Sequence, residues 1–154
     1  MRFHQVKELV DWAAGYHRRL AEQYSALADG GVDERVRMAL EYLAERERKQ
    51  ENDLTGYLGD GSDHSQVLET WFDDPNDFPH PPVLERLPDC IECDSVQSVL
   101  ATALTAHRTL QDLYTHREEL AGGSDEKVFF EALANGHEAE VRRISRDMQR
   151  LEDY

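Results

Sequence analysis

The sequence predicts an all-α protein built from four long amphipathic helices. In each helical stretch the apolar residues recur at alternating spacings of three and four, the period of a helix that buries one face. No stretch shows the two-residue alternation of a β-strand. Two glycine pairs, Gly30-Gly31 and Gly122-Gly123, each separate two helical stretches. Because such short connections make neighbouring helices antiparallel, we expect two helical hairpins.

Each predicted helix has recognisable limits. Asp33 is a suitable N-cap for the second helix, because its side chain can accept a hydrogen bond from the backbone of the first turn. The charged run ERERKQEND within that helix is interpreted as a solvent-exposed face. The four helices are predicted at about residues 3–28, 34–58, 95–120 and 124–154.

A long irregular segment, about residues 59–93, separates the two hairpins. It contains WFDDPNDFPHPP, whose prolines exclude a continuous helix. A segment of this length is unusual in a compact domain, but a crossover that returns the chain along a helical bundle requires one. We expect Trp71, Phe72 and Phe78 to hold the crossover against the helices. Residues 1–154 are predicted to form a single domain.

Composition excludes several classes of function. The chain has 32 acidic and 17 basic side chains and a formal net charge of -15, so it repels phosphate backbones and anionic lipid. We therefore expect no nucleic-acid partner. No apolar run approaches the ~20 residues that span a bilayer, and the start of the sequence lacks the apolar block of a signal peptide. No membrane partner and a cytoplasmic location are the corresponding expectations.

The two predicted hairpins repeat each other at an offset of 90 residues. The equivalent pairs are His17 and His107, Leu20 and Leu110, Tyr24 and Tyr114, Leu40 and Phe130, Leu43 and Leu133, and Leu54 and Ile144. No gap is needed in this comparison. The chain therefore reads as one helical hairpin present twice, with the crossover between the copies.

Polar residues interrupt the apolar stripe of each helix near its midpoint. Since the helices lie side by side, we expect these side chains to converge on one layer of the core: His17, Glu47, Gln50, His107, His137 and Glu140. A single histidine on such a stripe is usually a hydrogen-bonded core residue, and a metal-free polar network is the alternative here. Burying two carboxylates without partners costs several kcal/mol, on the order of a domain's whole stability. A divalent ion offsets that cost, so the layer is predicted to bind metal, with Glu51 as the alternative to Gln50.

The stretches HRRLAEQY and YLAERERKQENDL, with HRTLQDLY and EALANGHEAEV, resemble the ferritin-like superfamily in its rubrerythrin branch. The resemblance covers the four helices and leaves out the crossover. It implies a ferritin-like four-helix bundle of two duplicated antiparallel hairpins. It also implies a transition-metal site in the bundle core and an oxidoreductase activity with dioxygen or peroxide.

The sequence departs from this family at the metal ligands. Members of the family have glutamate where this chain has His17 and His107, and Gln50 occupies the family's histidine position. The fourth helix carries the inverted pair His137-x-x-Glu140. With fewer carboxylates a diiron pair is disfavoured, and three nitrogens with one or two oxygens suit a single ion. We expect one or two transition-metal ions, with iron the first candidate and zinc, manganese or copper the others.

The sequence is also compatible with other functions. One is non-catalytic metal binding by a structural or carrier protein, and another is a metal-free bundle that acts through partners, with a homodimer as the candidate assembly. Cys90-Ile-Glu-Cys93 is interpreted as a redox dithiol, as a zinc site with His64 or His80, or as incidental. His4 and His116 lie off the apolar stripes and are expected on the surface.

Overall fold

The computed structural model describes residues 3–59, 65–72 and 95–153. Within these ranges the chain forms five helices, α1 Val6–Ala28, α2 Glu34–Leu58, the short α3 Ser65–Leu68, α4 Val96–Leu120 and α5 Ser124–Glu152. In the same ranges β structure is limited to one isolated antiparallel bridge between Gln5 and Trp71. The described protein is therefore all-helical, as predicted, and its helices pack against each other.

The observed helix limits follow from local capping. The Asp33 carboxylate accepts hydrogen bonds from the backbone N–H groups of Arg35 and Val36, which confirms the predicted N-cap of α2. The Ser95 hydroxyl caps α4 in the same way. The first helix begins at Val6, three residues later than predicted, because Glu8 reaches back to the backbone N–H of Gln5 and closes a capping box there.

The long helices pack mainly as two sequential pairs, α1 with α2 and α4 with α5, and α2 also contacts both helices of the second pair. The apolar faces predicted from the sequence are buried: Leu20 and Leu110, and Leu40 and Phe130, are completely buried at equivalent positions. Burial of these stripes is the main driving force for the packing. None of the helices in the described ranges combines the length and apolar character needed to cross a membrane.

The predicted crossover is described only at residue 59 and over residues 65–72. Phe72 is buried against Phe130, with ring centroids 6.2 Å apart, and the Arg117 guanidinium lies 4.0 Å from the centre of its ring. Trp71 is 66% exposed, so the prediction that it packs against the helices is wrong. Its backbone pairs with Gln5 in extended geometry, where neighbouring side chains point to opposite sides. Phe78 lies outside the described residues.

Candidate functional site

Four of the six predicted site residues meet in the core as one hydrogen-bonded group, His17, Glu47, His107 and His137, here called the quartet. Glu47 lies at its centre: His17 Nδ1 is 2.5 Å from Glu47 Oε2, and His107 Nε2 is 2.6 Å from Glu47 Oε1. His137 Nε2 is 3.0 Å from His107 Nδ1 and 2.9 Å from the His107 backbone carbonyl. The quartet therefore links all four long helices.

The hydrogen-bond partners define which ring nitrogens carry protons. An ionised carboxylate only accepts, so His17 Nδ1 and His107 Nε2 are the donors to Glu47. A backbone carbonyl also only accepts, so His137 Nε2 donates to the His107 carbonyl, and in neutral His107 the lone pair of Nδ1 faces the same N–H group. The result is a directed chain of hydrogen bonds from His137 through His107 to Glu47, with His17 approaching Glu47 from α1.

The quartet contains two equivalent pairs. His17 and Glu47 are 30 residues apart on α1 and α2, and His107 and His137 are 30 residues apart on α4 and α5. Each pair therefore joins the two helices of one hairpin, at positions related by the 90-residue repeat. The second pair is in ring contact, with centroids 4.7 Å apart, whereas the His17 ring lies 6.1 Å from His107 and 6.2 Å from His137.

Burial and the central carboxylate control protonation in the quartet, whose members are at most 3% exposed. Burial by itself raises the pKa of Glu47, but the adjacent His107 and His17 rings outweigh it and hold that pKa well below its ordinary value. Burial opposes protonation of His107, yet Glu47 beside it raises the pKa of that imidazole. Within the described part of the chain His137 bonds only to His107 and to no carboxylate, and burial lowers its pKa to about 3.

The other two predicted site residues lie apart from the quartet's hydrogen bonds. Both oxygens of Glu140 accept from the Arg46 guanidinium, at 2.7 and 2.6 Å, in a bidentate ion pair between α2 and α5. Gln50 is half-buried and lines a cleft between these helices. The alternative residue, Glu51, pairs with Arg18 at 2.8 Å on the side of α1.

Arg46 is a functional residue that the sequence interpretation missed. It belongs to the charged run ERERKQEND, which was interpreted as solvent-exposed, but its side chain is only 16% exposed. Its position directly before Glu47 turns it about 100° around the helix, toward α5. The predicted surface positions of His4 and His116 are confirmed.

The cleft between α2 and α5 has a volume of about 240 Å³ and is open to solvent. Its lining includes Lys49, Gln50, Tyr114, His137, Glu140 and Arg143. The His137 ring therefore belongs to both features, because its Nε2 bonds within the quartet and the ring also lines the cleft. The cleft is therefore the solvent-facing approach to the quartet from the side of α2 and α5.

Within the described ranges, no group of three or more His, Cys, Asp or Glu side chains is arranged to hold one ion as it stands. In the quartet the reason is spacing, because direct contacts of 2.5 and 2.6 Å leave no room for an ion between Glu47 and the imidazoles. Cys90, Cys93, His64 and His80 lie outside the described residues. No family model, no curated protein and no solved structure matches this chain.

Proposed function

We propose that this protein binds one transition-metal ion in its core through His17, Glu47 and His107. The observation that supports the proposal is the environment of Glu47, which is completely buried while each of its oxygens faces an imidazole nitrogen. A buried carboxylate requires a compensating positive charge, since an unpaired one costs several kcal/mol. That charge is supplied either by a proton on an imidazole or by a metal ion bound in its place.

The donor set fits a transition metal, with a small rearrangement. Donor atoms that bind one ion at about 2.0–2.2 Å lie about 3.0–3.5 Å from each other. The two imidazole nitrogens must therefore each withdraw from Glu47 by roughly 0.5 to 1 Å when the ion replaces their protons. His137 supports the site from outside, because its contact with His107 fixes the orientation of that ring. Two imidazoles and a carboxylate suit zinc, iron, manganese or copper.

The proposed stoichiometry is one ion per chain. Glu140 is neutralised by Arg46, so Glu47 is the carboxylate that remains for metal in this layer. Neutral imidazoles add no negative charge, and a second dication beside the first would be uncompensated. One ion held by three protein donors keeps a position for an exogenous ligand, the arrangement typical of catalytic metal sites. An oxidoreductase acting with dioxygen or peroxide is the activity that goes with this arrangement.

The proposed frame for the site is a ferritin-like four-helix bundle made of two duplicated antiparallel hairpins. Two observations support it. The pairs His17–Glu47 and His107–His137 have the same separation of 30 residues, and the Tyr16 hydroxyl bonds the Ala106 carbonyl across the repeat. A crossover over residues 59–93 completes this topology and stays a prediction.

A metal-free polar network is the second candidate, and one observation favours it. The hydrogen bonds of the quartet satisfy both oxygens of Glu47 without any ion, and Glu47 raises the pKa of His107, which favours a compensating proton on that imidazole. In that case the quartet joins the two hairpins and has no ligand of its own. The two candidates differ in metal content.

Elemental analysis of protein purified without a tag or added metal tests the proposal. His107→Ala should remove most of the bound metal, because it deletes a donor next to Glu47. His116→Ala is the matched control, since it lies on the same helix and is exposed, and it should keep its metal. Equal metal loss in both variants, or a metal-free wild type that binds no added ion, contradicts the proposal.

A further inference from the structure

Two buried aromatic residues, Tyr114 and His137, line the floor of the cleft between α2 and α5. Tyr114 and His137 are 2% and 3% exposed, and their rings meet edge to face with centroids 6.0 Å apart. Both hydrogen bonds of His137 use Nε2, which leaves a lone pair on Nδ1. Among the described residues neither this nitrogen nor the Tyr114 hydroxyl forms a hydrogen bond, and neither is one of the fully enclosed unpartnered atoms, so both are open to the solvent of the cleft. The floor therefore offers one acceptor and one donor to a ligand.

The mouth of the cleft has a positive balance. Arg46 is paired with Glu140, and Lys49 is paired with Asp53 at 2.9 Å. Arg143, which is exposed at the same mouth, takes part in neither pair. The cleft thus carries a local excess of one positive charge in a chain whose formal net charge is -15. An anionic group is favoured at this position over the rest of the surface.

We propose that the cleft binds a small hydroxy acid, with its carboxylate at Arg143 and its hydroxyl between Tyr114 and His137. The hydroxyl accepts a hydrogen bond from the Tyr114 O–H and donates one to His137 Nδ1, which satisfies both floor groups. The volume of about 240 Å³ corresponds to about eight water molecules at ~30 Å³ each, enough for a molecule the size of lactate. This binding goes beyond the proposed metal site and does not depend on it.

Three probes that differ in one group each test the proposal on the metal-free protein in the presence of a chelator. Lactate has both groups, propionate lacks the hydroxyl, and propane-1,2-diol lacks the carboxylate. Amide chemical-shift titrations should give lactate a dissociation constant at least fivefold lower than those of the other two. The shifted amides should lie on α2 and α5 around Gln50 and His137. Equal affinity for lactate and propionate, or shifts elsewhere, overturns the proposal.

Matched variants assign the two ends of the ligand. Tyr114→Phe preserves the buried ring and removes the hydroxyl, so it should weaken lactate binding about fivefold to the level of propionate and leave propionate unchanged. Arg143→Gln should weaken lactate and propionate alike. Arg142→Gln is the control, because Arg142 is 76% exposed, pairs with Glu138 and should have no effect. The proposal fails if Tyr114→Phe folds and binds lactate like the wild type.

Discussion

The Tyr16 hydroxyl donates a hydrogen bond of 2.8 Å to the backbone carbonyl of Ala106, the residue at the equivalent position 90 residues later. This bond joins α1 to α4 next to the pair His17 and His107. Both partners are buried, with Tyr16 2% exposed and Ala106 completely buried. The contact therefore ties one hairpin to the other directly beside the quartet.

Removing this hydroxyl should destabilise the fold. Tyr16→Phe is expected to lower the free energy of unfolding by about 1 kcal/mol, since it deletes a buried hydrogen bond and keeps the ring. Tyr42→Phe is the control, because the Tyr42 hydroxyl bonds Asp147 at a half-buried position, and its effect should be smaller. Chemical denaturation of both variants at one pH gives the comparison. A larger loss in Tyr42→Phe would contradict the assigned role of Tyr16.

Glu47 should contribute far more to the metal-free fold than other glutamates of α2. Glu47→Gln removes the carboxylate charge and replaces one of its two acceptor oxygens by an NH2 donor, so at most one of His17 and His107 keeps an acceptor, a loss of about 3 kcal/mol. Glu51→Gln removes a partly exposed ion pair with Arg18 and should change stability by less than about 0.5 kcal/mol. Urea unfolding in the presence of a chelator measures both. Similar effects in the two variants would show that Glu47 is not the centre of the quartet.

Acid should destabilise the metal-free protein through His137. Its pKa is about 3 in the folded protein against an ordinary value of 6.5, because burial opposes the charged form. The unfolded chain therefore binds the proton more readily, and the stability that His137 provides is complete above pH 6.5 and falls as the pH drops toward 3. His137→Gln should flatten this part of the stability profile. His116→Gln should leave the slope unchanged, and equal slopes in both variants would refute the prediction.

The pairing of Glu47 with His107 has its own pH dependence, in two directions. The pKa of His107 is raised in the folded protein, so its contribution is complete below 6.5 and is lost as the pH rises through the raised value. The pKa of Glu47 is lowered, so its contribution is present above 4.5 and is lost in acid below that value. In Glu47→Gln the loss of stability on the alkaline side should disappear. Unfolding measured from pH 6 to pH 9 checks this.

Anaerobic titration with ferrous iron should reach one tight equivalent per chain, followed by slow or absent oxidation on exposure to air. A second iron would lack a compensating negative charge, since Arg46 neutralises Glu140 and only Glu47 remains as a carboxylate of the predicted layer. Binding of that ion should raise the melting temperature, and a chelator should reverse the increase. Two tight irons per chain with rapid oxidation would show that Glu140 leaves Arg46 and takes part in the site.

Sequence alone determined the four long helices and the four residues of the quartet, because both depend on local rules, whereas it missed the short helix α3 and placed Gln50 and Glu140 in the same layer. A period of three and four identifies the buried face of a helix, and a capping residue such as Asp33 identifies its start. The repeat at 90 residues then places the midpoints of the helices side by side, which brings His17, Glu47, His107 and His137 together. These inferences need no knowledge of side-chain conformation.

Tertiary structure alone decided how the charges of that layer are paired. Arg46 and Glu140 both lie beside the predicted layer, and their ion pair depends on the rotation of α2 relative to α5, which helix periodicity does not fix. Likewise, Phe72 is buried and Trp71 is exposed because their segment pairs with residues 4–6 in extended geometry. Both residues are large and aromatic, so residue type alone does not predict which of the two side chains is buried. The direction each side chain takes is set by a backbone contact between segments that are distant in the sequence.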